Sequence, residues 1–138
     1  MDRLIVAPKY SIIDDIPLSY SRRIKSVDGV ELIAHQSWFG GTYQDNKQFF
    51  PRWPVPPKEF MEVYPELMMP DEQREAFINT RTGAIIGKDL AESYGLKVGD
   101  KIPLIADIWV NKDNGPWIFD LVGIFEAGDD SISIDQMY

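Results

Sequence analysis

Apolar positions in this chain fall in short clusters separated by proline, glycine and acidic residues. Their spacing changes along the chain. At the start, "RLIVAPKYS" carries Leu4-Ile5-Val6 as one apolar run limited by Pro8, which predicts a strand. "DDIPLSYSRRIKSVDGV" follows, and here Leu18, Ile24 and Val27 supply a helical spacing. That helix starts near Pro17 and stops near Asp28-Gly29. "VELIAHQSWFGG" then predicts a second strand that ends at Gly40-Gly41. Strand, helix, strand in this order predicts a βαβ-like unit, or a split version of it.

The middle, "QDNKQFFPRWPVPPKEF", holds four prolines and several aromatic residues. Phe49, Phe50, Trp53 and Val55 predict an edge strand, where proline is tolerated. A helix in "KEFMEVYPEL" is interrupted by Pro65. A second, in "PDEQREAFINTR", has Pro70 at its start and Asp71-Glu72 in its first turn. The third part is the most regular. In "RTGAIIGKDLAESYGLKVGDKIPL", Ala84-Ile85-Ile86 predicts a short buried strand turned by Gly87. Leu90, Ala91 and Tyr94 give the following helix an apolar face, with Asp89 in its first turn and Gly95 at its end. Val98-Gly99-Asp100 is a tight turn. Ile102, Leu104, Ala106 and Ile108 alternate, Asn114-Gly115 marks another turn, and "WIFDLVGIFEA" returns, so the last two strands predict an antiparallel hairpin. The fold class is therefore α+β, with a βαβ-like subdomain and a second mixed part containing the hairpin. "DDSISIDQMY" alternates apolar and polar residues up to Tyr138, as an interrupted strand or loop would.

Composition narrows the function. The 138 residues suit one domain or two small subdomains, and 44% hydrophobic content supports a real core. There is no cysteine, so there is no disulfide framework and no thiol nucleophile or ligand. The net charge is -8; residues 1–69 hold 8 basic and 9 acidic side chains, residues 70–138 hold 6 and 13. No basic stripe is visible, which argues against nucleic acid and against an anionic membrane surface. No run approaches the roughly 18 apolar residues of a membrane span, and no signal peptide follows Met1.

Candidate chemistry is sparse. A phosphate-binding P-loop needs four residues between its glycines, then Lys and Ser or Thr. Gly83 and Gly87 enclose only Ala84, Ile85 and Ile86, and Lys88 is followed by Asp89. His35 is the sole histidine, too few for a His-rich metal site, and no nucleophile elbow accompanies it. Asp14-Asp15, Asp71-Glu72 and Asp129-Asp130 are paired carboxylates without calcium-loop spacing. No catalytic, cofactor-binding or metal-binding residue is assigned. Trp38, Phe39, Tyr43, Phe49, Phe50 and Trp53 form the one concentration of aromatic residues. They fit a contact surface for a carbohydrate, a peptide or another part of a larger chain, or else a small core under a loop.

The ordered set Ile85-Ile86-Gly87-Lys88-Asp89-Leu90-Ala91, Val98-Gly99-Asp100-Lys101-Ile102-Pro103-Leu104 and Phe119-Asp120-Leu121-Val122-Gly123-Ile124 resembles the periplasmic core domain of MacB-like, FtsX-type ABC transporter permeases. "SWFGGTYQD" resembles a subgroup of them. The resemblance implies that residues 1–138 are a fragment of an extracytoplasmic domain, with an inserted subdomain around 45–80 and a second porter-like half beyond Tyr138. It implies no chemistry in the domain, which would contact substrate or partner proteins. It further implies a place on the periplasmic or extracellular face of the bacterial cytoplasmic membrane. The implied partners are the permease's own transmembrane helices, a cytoplasmic ATPase and a second permease. The alternative is a free-standing acidic module binding carbohydrate or peptide through the 38–53 region.

Overall fold

The structure, a computed structural model, describes residues 3–11, 14–43, 50–107, 109–130 and 132–138. The fold is α+β, built around one long strand, β5 (Trp117–Ala127). The predicted hairpin joins it to β4 (Lys101–Ala106), in register from Lys101 opposite Asp120 to Leu104 opposite Trp117. Alternation decides the faces: Ile102 and Leu104 are buried, whereas Lys101, Pro103 and Ile105 point to solvent. The turn signal also holds, because Asn114 takes a left-handed φ of 54° in the connection. Ile108 lies outside the described residues.

The strand β3 (Gly83–Gly87) runs parallel to β5, from Gly83 opposite Asp120 to Gly87 opposite Phe125. A parallel pair needs a long connection. It is supplied by α4 (Lys88–Tyr94), capped by the left-handed Gly95 at φ 64°, and by β4. The register shifts between Ala84 and Ile85. That irregularity changes the parity of β5: Trp117, Phe119 and Leu121 face one hydrophobic cluster, and beyond it Phe125 and Ala127 face the other. Short strands complete the sheet. Gly41–Thr42 (β1) pairs with β4, and Leu67–Met68 (β2) pairs antiparallel with the end of β5.

The two clusters lie on opposite faces of β3, since Ile86 belongs to one and its neighbour Ile85 to the other. Burial on both faces explains an unbroken apolar run where an exposed strand would alternate. The first cluster gathers Phe39, Tyr43, Phe50, Leu90, Ile102 and Leu121. The second gathers Phe60, Leu67, Phe77, Ile85, Phe125 and Ile132. Helices α2 (Pro57–Val63) and α3 (Asp71–Asn79) supply Phe60 and Phe77 to the second. The start of α3 is as the sequence predicts, with Asp71-Glu72 in its first turn, and α2 begins one residue before the predicted stretch, at Pro57.

The last residues are a structural element. Ile85 and Tyr138 exchange both backbone hydrogen bonds at 2.9 Å, and the Gly87 amide donates to the Gln136 carbonyl at 2.9 Å. Met137 bridges Ile86 on one side and Arg52 on the other.

The first third departs from expectation. The strand at Leu4-Ile5-Val6 does not form; Leu4 is 92% and Ile5 89% exposed, and the segment enters no ladder. It is fastened at Arg3, which ion-pairs with Glu66 at 2.6 Å and donates to the Val63 carbonyl at 3.0 Å. The helix α1 (Ser19–Lys25) is present but buries no side chain. The predicted strand over residues 30–41 survives only as β1. Its remainder makes two backbone bonds to the proline-rich stretch, Ser37 to Pro54 and Phe39 to Arg52. Pro51, Pro54 and Pro56 lack the N–H groups a ladder would need. The βαβ-like unit therefore does not lie at the start of the chain, and the parallel pair sits instead at β3 and β5.

Candidate interaction surface

The turn from β3 into α4 is the first place to look for bound chemistry. Its amides are already used. Gly87 N–H bonds the Gln136 carbonyl, and Leu90 N–H bonds the Ile134 carbonyl at 3.3 Å. A Cβ at Gly87 would stand 1.9 Å from the Ile134 oxygen. Gly87 is thus required by a close approach of backbone, since its φ of -69° is open to any residue. Lys88 ion-pairs with Glu126 at 2.8 Å, and that carboxylate holds the ammonium pKa above its ordinary value. No group of three or more His, Cys, Asp or Glu side chains able to hold a metal occurs among the described residues. His35 is exposed on a segment outside any helix or strand.

The aromatic stretch divides. Phe39, Tyr43 and Phe50 are 7%, 5% and 2% exposed and belong to the first cluster. Tyr43, Phe50 and Tyr94 meet edge-on, with centroids 5.4–5.7 Å apart. Phe39, Tyr43 and Phe50 are core residues whose rings are turned away from solvent, so they do not contribute to a contact surface in this fold. Phe49 lies outside the described residues. Trp38 and Trp53 remain half-exposed and pack edge-on, with centroids 5.2 Å apart.

Those two rings extend into a larger group. Trp109, 45% exposed, donates its indole N–H to the Trp38 carbonyl at 3.2 Å. Trp117 donates to the Trp109 carbonyl. Trp53 donates to Gln136 Oε1 at 2.7 Å. All four tryptophans of the chain are linked in one line, joining the 38–53 region, the β4–β5 connection and the C-terminal segment. Each indole with a polar partner keeps its N–H satisfied while leaving ring surface at or near solvent. Trp109 and Trp117 were legible as hairpin residues only. Trp109 near the start of the β4–β5 connection and Trp117 at the first position of β5 were the available signal.

Behind this line lies Arg52, 2% exposed. Its Nε donates to the Phe50 carbonyl at 3.2 Å, and its guanidinium lies 4.9 Å from the Phe50 ring centroid. Burial lowers its pKa, opposed by the charge of Asp107 and by Tyr94. On the hairpin's outer face Asp120 accepts from Lys101 and, at 2.6 Å, from the Thr82 hydroxyl. The Lys101 bond first, then the Thr82 bond, hold its carboxyl below the usual range. A cleft of about 640 Å³ opens at the other end of β5, lined by Leu67, Met68, Met69, Arg74, Lys88 and Glu126.

No protein-family model and no curated protein matches the sequence. Among solved structures, the chain is similar to a domain of a candidate permease protein from Porphyromonas gingivalis. The TM-score is 0.53 and the identity 20%; the likeness covers 85% of this chain and 53% of that one. At this identity the likeness shows the shared α+β fold. The chain spans about half the length of that solved domain.

Proposed function

We propose that the chain is part of the extracytoplasmic domain of an ABC transporter permease of the MacB-like, FtsX-type kind. In this reading it is non-enzymatic, contacts substrate or a partner protein, and couples to ATP-driven motion of the membrane part. The observation that carries the reading is the fold likeness to a domain of a candidate permease over 85% of this chain. The ordered Gly87, Val98-Gly99-Asp100 and Phe119–Ile124 segments support it, because they form β3–α4, the turn before β4, and β5. No helix among the described residues is long and apolar enough to cross a membrane. Anchoring would therefore come from other parts of a longer protein.

The test uses the absence of cysteine. In the full permease, with any cysteine outside these 138 residues replaced, Lys112→Cys is labelled in intact bacteria by a membrane-impermeant maleimide. Labelling before lysis is expected, and labelling only after lysis would overturn the reading.

A second reading is a free-standing module that binds carbohydrate or peptide. The line of Trp38, Trp53, Trp109 and Trp117 favours it, since half-exposed indoles stack on apolar ligand faces. Loss of glycan or peptide capture in Trp109→Ala, with unfolding unchanged, would support this reading over the first.

A further inference from the structure

The exposed apolar residues of this protein are concentrated where its basic residues are exposed. Leu4, Ile5, Val6, Tyr10, Leu18, Tyr20 and Val27 are 46–92% exposed. Among them stand Lys9, Arg22, Arg23 and Lys25, all exposed. Two acidic residues, Asp14 and Asp15, share these segments. The whole chain has 14 basic and 22 acidic residues, so everything outside residues 4–10 and 14–27 holds 10 basic and 20 acidic. An average of -8 thus conceals a short cationic, apolar segment on a strongly anionic body, which departs from the expectation that nothing here suits an anionic membrane surface.

Local geometry fits one kind of occupant. In α1, Tyr20 and Ile24 are i, i+4 neighbours on one helix face, Arg22 and Lys25 lie off it, and Val27 follows just past the C-cap. The Arg23 guanidinium sits 5.7 Å from the Tyr20 ring centroid. Between Val6–Lys9 and Ile16–Tyr20 lies an open apolar cleft of about 340 Å³. A seven-residue helix that buries nothing is marginal on its own. Short basic helices with aliphatic and aromatic faces suit the boundary between lipid headgroups and acyl chains.

We propose that residues 4–10 and 14–27 dock this protein on an anionic phospholipid surface. Leu4, Ile5, Val6, Leu18 and Tyr20 enter the interface, and Lys9, Arg22, Arg23 and Lys25 meet lipid phosphates. The acidic body is repelled by the same surface, so the contact also fixes which way the domain faces. The inference does not depend on the permease reading, which stands or falls on the labelling experiment.

The test is co-sedimentation of the 138-residue chain with extruded vesicles, of phosphatidylcholine alone or of equal phosphatidylcholine and phosphatidylglycerol. Binding is expected only with phosphatidylglycerol, and it should fall as salt is raised. The double variant Arg22→Glu with Arg23→Glu should lower partitioning by about tenfold or more, since each basic side chain counts near such a surface. Leu4→Asp with Ile5→Asp should also lower it, whereas Lys112→Glu on the body should not. All these side chains are exposed, so unchanged thermal unfolding should accompany each variant. Equal binding by the Arg variants, or none to phosphatidylglycerol, would overturn the proposal. A dimer in sedimentation velocity that the Arg variants dissolve would instead assign the patch to a second copy's acidic body, and would overturn it too.

Discussion

Two glycines flank α4 and are required for different reasons. Gly95 is left-handed, at φ 64°, with nothing within 4 Å of an added Cβ. Its replacement by Ala meets only backbone strain, about 1 kcal/mol. Gly87 has an ordinary φ, but a Cβ there would meet backbone at 1.9 Å, which no rotamer change relieves. Gly87→Ala is expected to destabilise by about 1–3 kcal/mol and to loosen the C-terminal segment. Urea unfolding of both variants checks this, and a smaller loss for Gly87→Ala than for Gly95→Ala would contradict it. Asp120 gives a pH dependence at the same scale. Its folded pKa is depressed, by Lys101 before Thr82. Its contribution is therefore present above the unfolded value near pH ~4 and lost as pH falls below it. The side chain is 33% exposed, so the effect is modest. Asp120→Asn should flatten the acid limb of stability against pH; an unchanged limb would remove Asp120 from the account.

At the scale of elements, the last three residues pair as a strand would, and the alternation of "DDSISIDQMY" was their local signal. Tyr138 packs on Phe60 and Phe125, with centroids 4.5 and 5.7 Å away. Burial is the main cause that pushes its phenol up to about 12. A raised acid pKa favours the neutral folded form. The stabilisation is full below the unfolded value near ~10 and is lost as pH rises through the folded one. Tyr138→Phe should remove that alkaline slope between about pH 10 and 12, which urea midpoints across the range would show; a slope that persists would place its origin elsewhere. Such local signals explain what was legible. The hairpin, α3, α4 and the buried strand at Ala84–Ile86 each carry local signals, namely alternation, an acidic first turn, a terminal glycine or an apolar run. The strand expected at Leu4–Val6 carries such a run as well, but it joins no ladder and stays exposed. Where the C-terminal segment docks, and the tryptophan line, depend on contacts across more than 70 residues, Trp109 to Trp38 and Trp53 to Gln136, which no local period encodes.

For the molecule as a whole, the question is whether α2, β2 and α3 form a body of their own, as an insertion around residues 45–80 would. Their side chains Phe60, Leu67 and Phe77 pack on Ile85 and Phe125, which belong to β3 and β5. The first cluster packs on Ile86 and Leu121 of the same two strands. Neither cluster can be exposed without losing one face of β3, so the two are expected to unfold together. Phe77 is 2% exposed and Ile102 is fully buried, one in each cluster. Phe77→Ala should cost about 3–5 kcal/mol and Ile102→Ala about 2–5 kcal/mol. If the sheet couples the clusters, each variant shifts one cooperative transition, and tryptophan fluorescence and far-ultraviolet dichroism report the same midpoint. Trp117 packs against the first cluster, so its fluorescence senses that cluster. A Phe77→Ala protein whose dichroism falls before its fluorescence would show that the second cluster opens alone. A single transition means that β3 and β5 hold the two clusters together as one cooperative unit.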